Sequence, residues 1–427
     1  MLCLVVAGLS AGEMAHAQLT VQITHGMTAP IPVAVVQFGA DTTLPVDVAA
    51  VVEGDLARSG RFAPLPRASM LEHPTSGAGL QMTGWRLLKT DYLVIGHTIA
   101  QGNNYAIEFE LYNVVTGERL LAYRVPAAGK GLRLGAHQVA DLIYEKILGV
   151  PGVFATRIAY ISVDGAMTAR RWRLWVADSD GENSQAILDS REPIMSPAWS
   201  PDGTRLAYVS FEGHASGVYV QTVATSAREK VSGRAGINGA PAWAPDGRRL
   251  AIALSQPDGN VDVFVLDLAS RSLLRITDDP AIDTEPEWAP DGRSLYFTSD
   301  RAGRPQIYRV TLAAGERPKR VTYEGAYNAR PRVSPDGSHL AVVTLDQGAY
   351  HIASVDVATG RSRVLSGGRL DEGPCFAPNG QTIMYAVREA GHGALATVAV
   401  DGSVTSRISS PAGDVREPAW SPRVTNP

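Results

Sequence analysis

Apolar and polar positions alternate along the C-terminal two thirds of the chain, in a pattern that recurs at a nearly fixed interval. The stretch PAWSPDGTRLAYVS at 197–210 recurs as PAWAPDGRRLAIAL at 241–254 and as PEWAPDGRSLYFTS at 286–299. The prolines that open the motif are 43 to 45 residues apart, at Pro197, Pro241, Pro286, Pro331, Pro374 and Pro418. A fixed period of this length indicates a repeat architecture.

Each repeat has the pattern of four short strands. The Pro-x-Trp segment is the first strand, and the turn Ser/Ala-Pro-Asp-Gly follows it, with proline presetting φ and glycine accepting a positive φ. Three more alternating runs complete the unit, for example RLAYVS at 205–210, VYVQTV at 218–223 and EKVS at 229–232. Because no helical period separates these runs, the repeat predicts a β-propeller with one sheet per blade.

The predicted strands are enough for six blades if the first and last segments share one blade. The segments 156–162, 172–179 and 185–189 match the second to fourth strands of a blade that lacks its first strand. The last motif, PAW at 418–420, is a first strand without the other three. We therefore expect the C-terminal strand to close the first blade, which leaves no open sheet edge. The motif tryptophans are expected to pack between blades as core residues: Trp199, Trp243, Trp288 and Trp420.

Residues 18–150 have a different pattern, which predicts a small α/β domain. A buried strand is expected at 31–38, a helix at 45–60, three strands within 90–126 and an amphipathic helix at 131–149. The apolar side of that last helix is expected to contain Leu134, Val139, Leu142, Ile143 and Ile147. The predicted fold is thus an α/β N-terminal domain at 18–150 followed by an all-β six-bladed propeller at 151–427.

The first 17 residues predict a cleaved secretory signal. They contain an apolar run from Leu2 to Leu9 and end in Ala15-His16-Ala17, an A-x-A cleavage pattern. The alternative is a buried N-terminal helix. No other segment approaches the ~20 apolar residues of a membrane span, so an exported protein is expected. After cleavage only Cys375 remains, and an internal disulfide is then impossible.

Charge and motifs exclude several classes of function. The net charge is -4 and no basic block occurs, which argues against a nucleic-acid partner. The pattern G-x-S-x-G occurs only as GLSAG at 8–12, inside the predicted signal, and H-E-x-x-H is absent. The segment DSDGENS at 178–184 lacks the ligand order of a calcium loop. No cofactor, metal site or enzymatic activity is therefore predicted. An exported glycosidase-like or lyase-like enzyme, or a glycan or small-ligand sensor, stays an alternative, because a propeller funnel could pair carboxylates such as Asp283 and Glu285.

Candidate binding residues lie just before the motif prolines. The first strand of each blade lines the central channel of a propeller, so these positions gather at one mouth of the channel. A rigid rim of acids, arginines, amides and a methionine suits protein recognition. The candidates are Met195, Ser196, Asn238, Gly239, Thr284, Glu285, Asn328, Ala329, Arg330, Asp371, Glu372, Arg416 and Glu417.

The chain resembles the TolB family of the Tol-Pal system of Gram-negative cell envelopes. The resemblance rests on TRIAYIS, MSPAWSPDGTRLAYVSFE, NGAPAWAPDG, TEPEWAPDGRSLYFTSDRAGRPQIYRV and EPAWSP in the propeller, and on IPVAVVQF and DLARSGRFAPL before it. Ile237 departs from the histidine usual in the family. The resemblance implies a monomeric, non-enzymatic periplasmic scaffold that supports outer-membrane integrity and constriction at division. It also implies that the mouth binds Pal, the peptidoglycan-associated lipoprotein, and is exploited by colicins.

The segment at 18–30 is the second candidate binding element. It alternates apolar and polar residues at Leu19, Val21 and Ile23, and such a stretch can add a strand to the sheet edge of a partner. The resemblance implies that this partner is TolA, an inner-membrane protein, and that release of the segment is coupled to occupancy of the mouth. The alternative is an edge strand of the protein's own α/β domain.

Overall fold

The computed structural model describes residues 21–23, 29–166, 169–313, 315–389, 391–408 and 413–423. Of residues 21–23 only the backbone is described. The predicted signal at 1–17 lies outside this part of the chain.

The first part of the described chain combines a mixed sheet with helices. Its strands are β1 Val21–Ile23, β2 Ile31–Val35, β3 Gly39–Ala40, β4 Phe62–Pro64, β5 Tyr92–Gln101, β6 Asn104–Asn113 and β7 Arg119–Ala128. Its helices are α1 Val48–Arg58, α2 Met82–Leu87 and α3 Leu132–Leu148, with 3-10 turns at Arg67–Ser69 and Gly129–Gly131. The sheet order is β4-β2-β5-β6-β7, with β3 also on β5, and β1 is not part of this sheet.

Capping and apolar spacing explain the two long helices. Asp47 caps α1, since its side chain accepts a hydrogen bond from the N–H of Ala50 at 2.9 Å. Gly149 ends α3 in the left-handed conformation, with φ of 70°. One prediction about α3 is wrong: Leu134 is 46% exposed, because the helix buries the face of Ala136, Val139, Ala140 and Ile143 against the sheet.

The propeller strands follow in chain order. They are β8 Arg157–Asp164, β9 Arg171–Asp178, β10 Gln185–Ser190, β11 Ile194–Trp199, β12 Arg205–Ser210, β13 Gly217–Thr222, β14 Arg228–Ser232, β15 Asn238–Trp243, β16 Arg249–Ser255, β17 Val261–Asp267, β18 Leu273–Arg275, β19 Asp283–Trp288, β20 Ser294–Ser299, β21 Gln306–Thr311, β22 Lys319–Arg320, β23 Asn328–Val333, β24 His339–Asp346, β25 Ala349–Asp356, β26 Ser362–Val364, β27 Asp371–Phe376, β28 Thr382–Glu389, β29 His392–Ala399, β30 Val404–Ile408 and β31 Asp414–Trp420. A 3-10 turn at Glu212–His214 lies between β12 and β13.

Within the described residues these strands form six blades, and the predicted closure is confirmed. Five blades use four consecutive strands, whereas the first has the order β10-β9-β8-β31. The last strand pairs antiparallel with β8, and Trp420 lies opposite Ile158. The strand β1 extends the sixth blade, where it pairs with the outer strand β30.

Tryptophans join neighbouring blades, as predicted. The indole N–H of Trp199 donates to the carbonyl of Ala419, and that of Trp243 donates to Ala198, both at 3.1 Å. An arginine lies over the ring of three of them, with Arg205 4.6 Å from the ring centre of Trp243. The free thiol of Cys375 is buried in the same layer.

The α/β domain contacts one end of the propeller. The side chain of Asn379, in a motif turn, donates to the carbonyl of Pro151 at 2.9 Å. Ser179, in the β9–β10 hairpin, donates to the carbonyl of Phe154 at 2.8 Å. Because each inner strand runs from the mouth to a motif turn, the mouth lies at the opposite end of the propeller.

Candidate functional site

The mouth is the end of the channel where the six inner strands begin, at 194–196, 238–240, 283–285, 328–330, 371–373 and 415–417. Each inner strand contains a bulge here, because the pairing register with the next strand shifts around the motif proline. The residue before that proline has a left-handed φ in every blade. These residues are Ser196 (54°), Ala240 (47°), Glu285 (53°), Arg330 (54°), Gly373 (61°) and Glu417 (50°).

A left-handed φ is strained for residues other than glycine, and five of these six are not glycine. Strain of this kind persists where the surroundings fix the backbone, and it is concentrated at functional sites. The bulge and the following proline supply that constraint here. The frame of the mouth is therefore rigid before any partner arrives.

In four of the six mouth segments the first residue has a buried polar side chain that supports this frame. Asn238, Asp283, Asn328 and Asp371 are at most 1% exposed. The side-chain oxygen of Asn238 accepts the N–H of Arg234 at 2.9 Å, and the amide of Asn328 donates to the carbonyl of Glu324 at 2.8 Å. Asp371 accepts the N–H of Gly368 at 3.0 Å. These candidates hold the loops that lead into the mouth, and their side chains do not face solvent.

The other predicted residues surround the channel opening. Met195, Gly239, Thr284, Glu372 and Arg416 are partly exposed, whereas Ala329 is only 3% exposed. Arg416 forms an ion pair with Asp414 and lies 5.8 Å from the ring centre of Trp172. The structure thus brings all six segments together, although no contact in it identifies a partner.

The centre of the mouth contains the charged side chains of Glu285, Arg330 and Glu417, and we call it the throat. Arg330 forms ion pairs with both carboxylates. The Nε of Arg330 lies 3.0 Å from a carboxylate oxygen of Glu285, and its Nη2 lies 3.5 Å from Glu417. Burial alone would lower the pKa of Arg330, but the carboxylates of Glu417 and Glu285 raise it above its usual value. Glu417 also accepts the backbone N–H of Ser196. The cavity between these groups is small, about 30 Å³.

Exposed apolar side chains surround this polar throat. The residue just outside each mouth segment is Ile237, Ile282, Tyr327 or Leu370 in four of the six blades. Ile237 is 52% exposed, Ile282 50% and Leu370 39%, and Tyr327 is partly buried against Tyr350. We call these four residues the apolar ring. Sequence reasoning missed them because it stopped three positions before each proline, although the recurrence of large apolar residues at the fourth position is visible in the chain.

The predicted N-terminal element is only partly described. Leu19 lies outside the described residues, whereas Val21 and Ile23 belong to β1. There Val21 lies opposite Ser406 and Ile23 opposite Val404 of β30. The strand therefore lies on a propeller blade and not on the sheet of the α/β domain.

One cluster in the described part of the chain has the residue types of a metal site. Asp55, His137 and Asp180 place one potential ligand atom each within 4.8 Å of the others. Arg58 and Arg133, however, already form ion pairs with the two carboxylates. We therefore interpret the cluster as a network of ion pairs. None of the helices in the described residues has the length and apolar character that a membrane crossing needs.

Comparisons with known proteins agree with the architecture. The family described as TolB amino-terminal domain matches residues 19–120, and the family described as TolB beta propeller domain matches residues 144–424. The chain belongs to the TolB family. The resemblance stated from the sequence is thereby confirmed, as is the six-bladed fold with its α/β domain.

Relatives of the TolB family match over nearly their whole length. Tol-Pal system protein TolB of Methylococcus capsulatus is 54% identical over 414 residues, which cover 97% of this chain and 96% of the relative. The protein of the same name from Nitrosococcus oceani is 53% identical, with coverages of 95% and 94%. The crystal structure of TolB from Acinetobacter baumannii superimposes with a TM-score of 0.87 at 38% identity, covering 95% of this chain and all of that one.

Proposed function

We propose that the chain is a periplasmic, non-enzymatic protein-interaction scaffold of the Tol-Pal system. Its propeller mouth binds the lipoprotein Pal, its N-terminal segment binds TolA, and colicins exploit the same surfaces. Through these contacts it supports outer-membrane integrity and constriction at division. The proposal includes a monomer with a signal at 1–17 and domains at 18–150 and 151–427. The observation that carries it is the apolar ring around a narrow, charge-paired throat.

The apolar ring has the character of a protein-binding surface. Large apolar side chains that are about half exposed and grouped on one face mark interaction sites, since burying them on association is favourable. The mouth adds charged and amide groups next to them, and interfaces combine an apolar centre with a polar rim in this way. The strained backbone holds both sets in place, so little conformational freedom is lost on binding.

The geometry of the throat supports a binding role over catalysis. Glycosidases need two carboxylates with space between them for a sugar and a water molecule. Here Glu285 and Glu417 both pair with Arg330, and the space among them is about 30 Å³. Asp283 is bound by Arg301 at 2.7 Å and is fully buried. The throat alone does not decide the sensor alternative, because a cavity of about 270 Å³ lies farther along the inner strands, next to Glu287 and Arg332.

The position of β1 supports the second binding role. Within the described residues, three residue pairs join it to β30 at the outer edge of the sixth blade. An outer strand of this kind can pair instead with the sheet edge of another protein, which is how β-strand addition works.

A matched set of exposed apolar residues tests the mouth. Ile237→Ser and Ile282→Ser remove apolar ring side chains, and Leu274→Ser removes one that is 60% exposed on the outer strand β18. Binding of the soluble Pal domain is measured by titration calorimetry. We expect the ring variants to bind about tenfold more weakly and the control to bind like wild type, with similar melting temperatures throughout. Ring variants that bind like the control would place the lipoprotein site elsewhere.

A further inference from the structure

Six charged side chains meet where the α/β domain contacts the propeller. The α/β domain contributes Asp55 and Arg58 from α1 and Arg133 and His137 from α3, and the β9–β10 hairpin of the propeller contributes Asp178 and Asp180. We call this group the interdomain ion cluster. The side chains of Asp55, His137 and Asp180 are 0%, 1% and 4% exposed, whereas Arg58, Arg133 and Asp178 are about one fifth exposed, so the cluster has a buried centre and a partly exposed margin.

Contacts within the cluster join the two domains directly. The Nδ1 of His137 lies 2.6 Å from an oxygen of Asp55, in the same domain. Its Nε2 faces the propeller, 3.8 Å from an oxygen of Asp178 and 3.9 Å from one of Asp180. Within the described residues this buried Nε2 has no hydrogen-bond partner.

The two arginines also reach across the joint. Arg133 pairs with Asp180 through Nη2 and lies 3.4 Å from Asp178 through Nε. Arg58 pairs with Asp55 in its own domain and lies 3.8 Å from Asp180. Every cation of the cluster therefore belongs to the α/β domain and contacts a carboxylate of the propeller.

The positive and negative charges of the interdomain ion cluster are equal in number only when the two domains are in contact. With His137 protonated, the α/β side holds three cations and Asp55, and the propeller side holds two carboxylates. Burial alone would lower the pKa of His137, but Asp55, Asp178 and Asp180 raise it to about 9, so the ring is charged at neutral pH. The groups that face this ring are Asp55 and Arg58 of α1, Arg133 of α3 and the hairpin carboxylates, with Asp141 and Arg157 at the margin of the cluster.

We propose that the interdomain ion cluster is an electrostatic lock, which holds the α/β domain against the propeller and opens when its charge balance is broken. Burying a network whose charges balance costs little free energy. Burying one charge without a partner in the same place is strongly unfavourable. Loss of a single carboxylate, or of the proton on His137, leaves such a charge. The domains then separate until water reaches it.

The linker between the domains contains backbone amides that can report on this movement. The carboxylate of Asp141 accepts the backbone N–H groups of Phe154 at 2.7 Å and Ala155 at 3.2 Å. A side chain on Gly152 would lie 2.3 Å from the same carboxylate, so the linker is tightly packed there. Opening of the lock exposes these linker amides to solvent, and their hydrogen exchange reports on it.

Removal of one carboxylate tests the lock in the full-length protein. Asp180→Asn keeps the shape of the side chain and removes its charge. The matched control is Asp189→Asn in β10 of the same blade, which removes the surface pairing with Arg171 and Arg173. Hydrogen exchange is followed by mass spectrometry for peptides that contain residues 152–156. We expect these amides to exchange about tenfold faster in Asp180→Asn than in wild type or control. Rates equal to those of the control would overturn the proposal.

A balanced double variant separates charge from shape. Arg133→Gln combined with Asp180→Asn removes one charge of each sign, and we expect it to exchange nearly as slowly as wild type. If it exchanges as fast as the single variant, or if neither folds while Asp189→Asn does, the cluster is a structural contact and not a lock.

The pH dependence of linker hydrogen exchange in the wild-type protein is a second test. After correction for intrinsic exchange, protection of the linker should fall as the pH rises through about 9, since His137 then loses its proton. A flat profile would refute the role of this proton. Protection that rises with added Zn²⁺ and falls with a chelator would assign the cluster to a metal and would also overturn the lock.

Discussion

Removal of the residues from Pro418 onward should unfold the propeller or bring it close to unfolding. These residues include Trp420, which completes the first blade, and Ser421, which ties the end of β31 to β8. At least four hydrogen bonds are lost besides the ladder pairs of Ala419 and Trp420 with β8. They run from Trp199 to Ala419, from Trp420 to Thr156, from Arg157 to Ser421 and from Ser421 to Arg157, at 3.1, 2.8, 2.9 and 2.8 Å.

The magnitude follows from these contacts. Trp420 is partly buried, and at the lower end of the range for packed aromatic side chains it removes about 150 Å² of surface from water, which stabilises the fold by about 4 kcal/mol. The hydrogen bonds contribute about 1 kcal/mol each, so the total loss is about 8 kcal/mol. Whole domains are stable by about 5–15 kcal/mol. For a domain of this size the melting temperature should fall by at least about 15 °C.

Differential scanning calorimetry measures this effect. A chain that ends after Arg423 is the control, because it keeps the whole of β31. We expect the control to melt like the full-length protein and the shorter chain to show an early, broad propeller transition or none. If the shorter chain melts within about 2 °C of the control, closure by β31 does not stabilise the propeller by the expected amount.

Three further predictions concern single sites. Burial raises the pKa of Asp141 to about 6 from its ordinary 3.8, so its contribution to stability is present below about pH 4 and is lost as the pH rises through 6. In urea unfolding, Asp141→Asn should remove about 3 kcal/mol of that pH dependence, and an unchanged slope would contradict the assignment. Ala240→Gly should stabilise the protein by about 1 kcal/mol, because glycine accepts the φ of 47° without strain; a loss of stability in thermal melts would argue against strain at this position. A chain without residues 18–25 should lose TolA in a pull-down and keep Pal, whereas failure to fold would make the segment structural.

The repeat made most of the fold predictable. Proline, aspartate and glycine recur at fixed offsets, and each turn chemistry agrees with the strands beside it, so blade number and closure follow from counting. Shorter elements escaped prediction: β4 has three residues and α2 six, too few to show a period. The prediction for Leu134 was wrong because apolar spacing alone does not fix which face of the helix packs on the sheet, and Leu132 and Ala136 on either side of it are buried.

The site was predictable in position but not in chemistry. The segments before the prolines do gather at one mouth, yet the sequence does not show that Asn238, Asn328 and Asp371 turn inward. That orientation depends on the bulge and the left-handed residue after it, which are properties of the backbone. The interdomain ion cluster could not be predicted at all, since Asp55, His137 and Asp180 are far apart in the chain and meet only after both domains have formed. The binding role of the mouth residues stays a prediction.

The left-handed residue in each inner strand has a consequence for how this surface changes during evolution. Serine, alanine, glutamate, arginine and glycine all occupy that position within this one chain, while the backbone keeps nearly the same φ. Proline and the bulge determine the path, so the side chain is free to vary without rerouting a loop. The mouth is therefore a set of six positions with one backbone geometry, three of which are coupled through Arg330, and a new partner preference requires point substitutions rather than insertions.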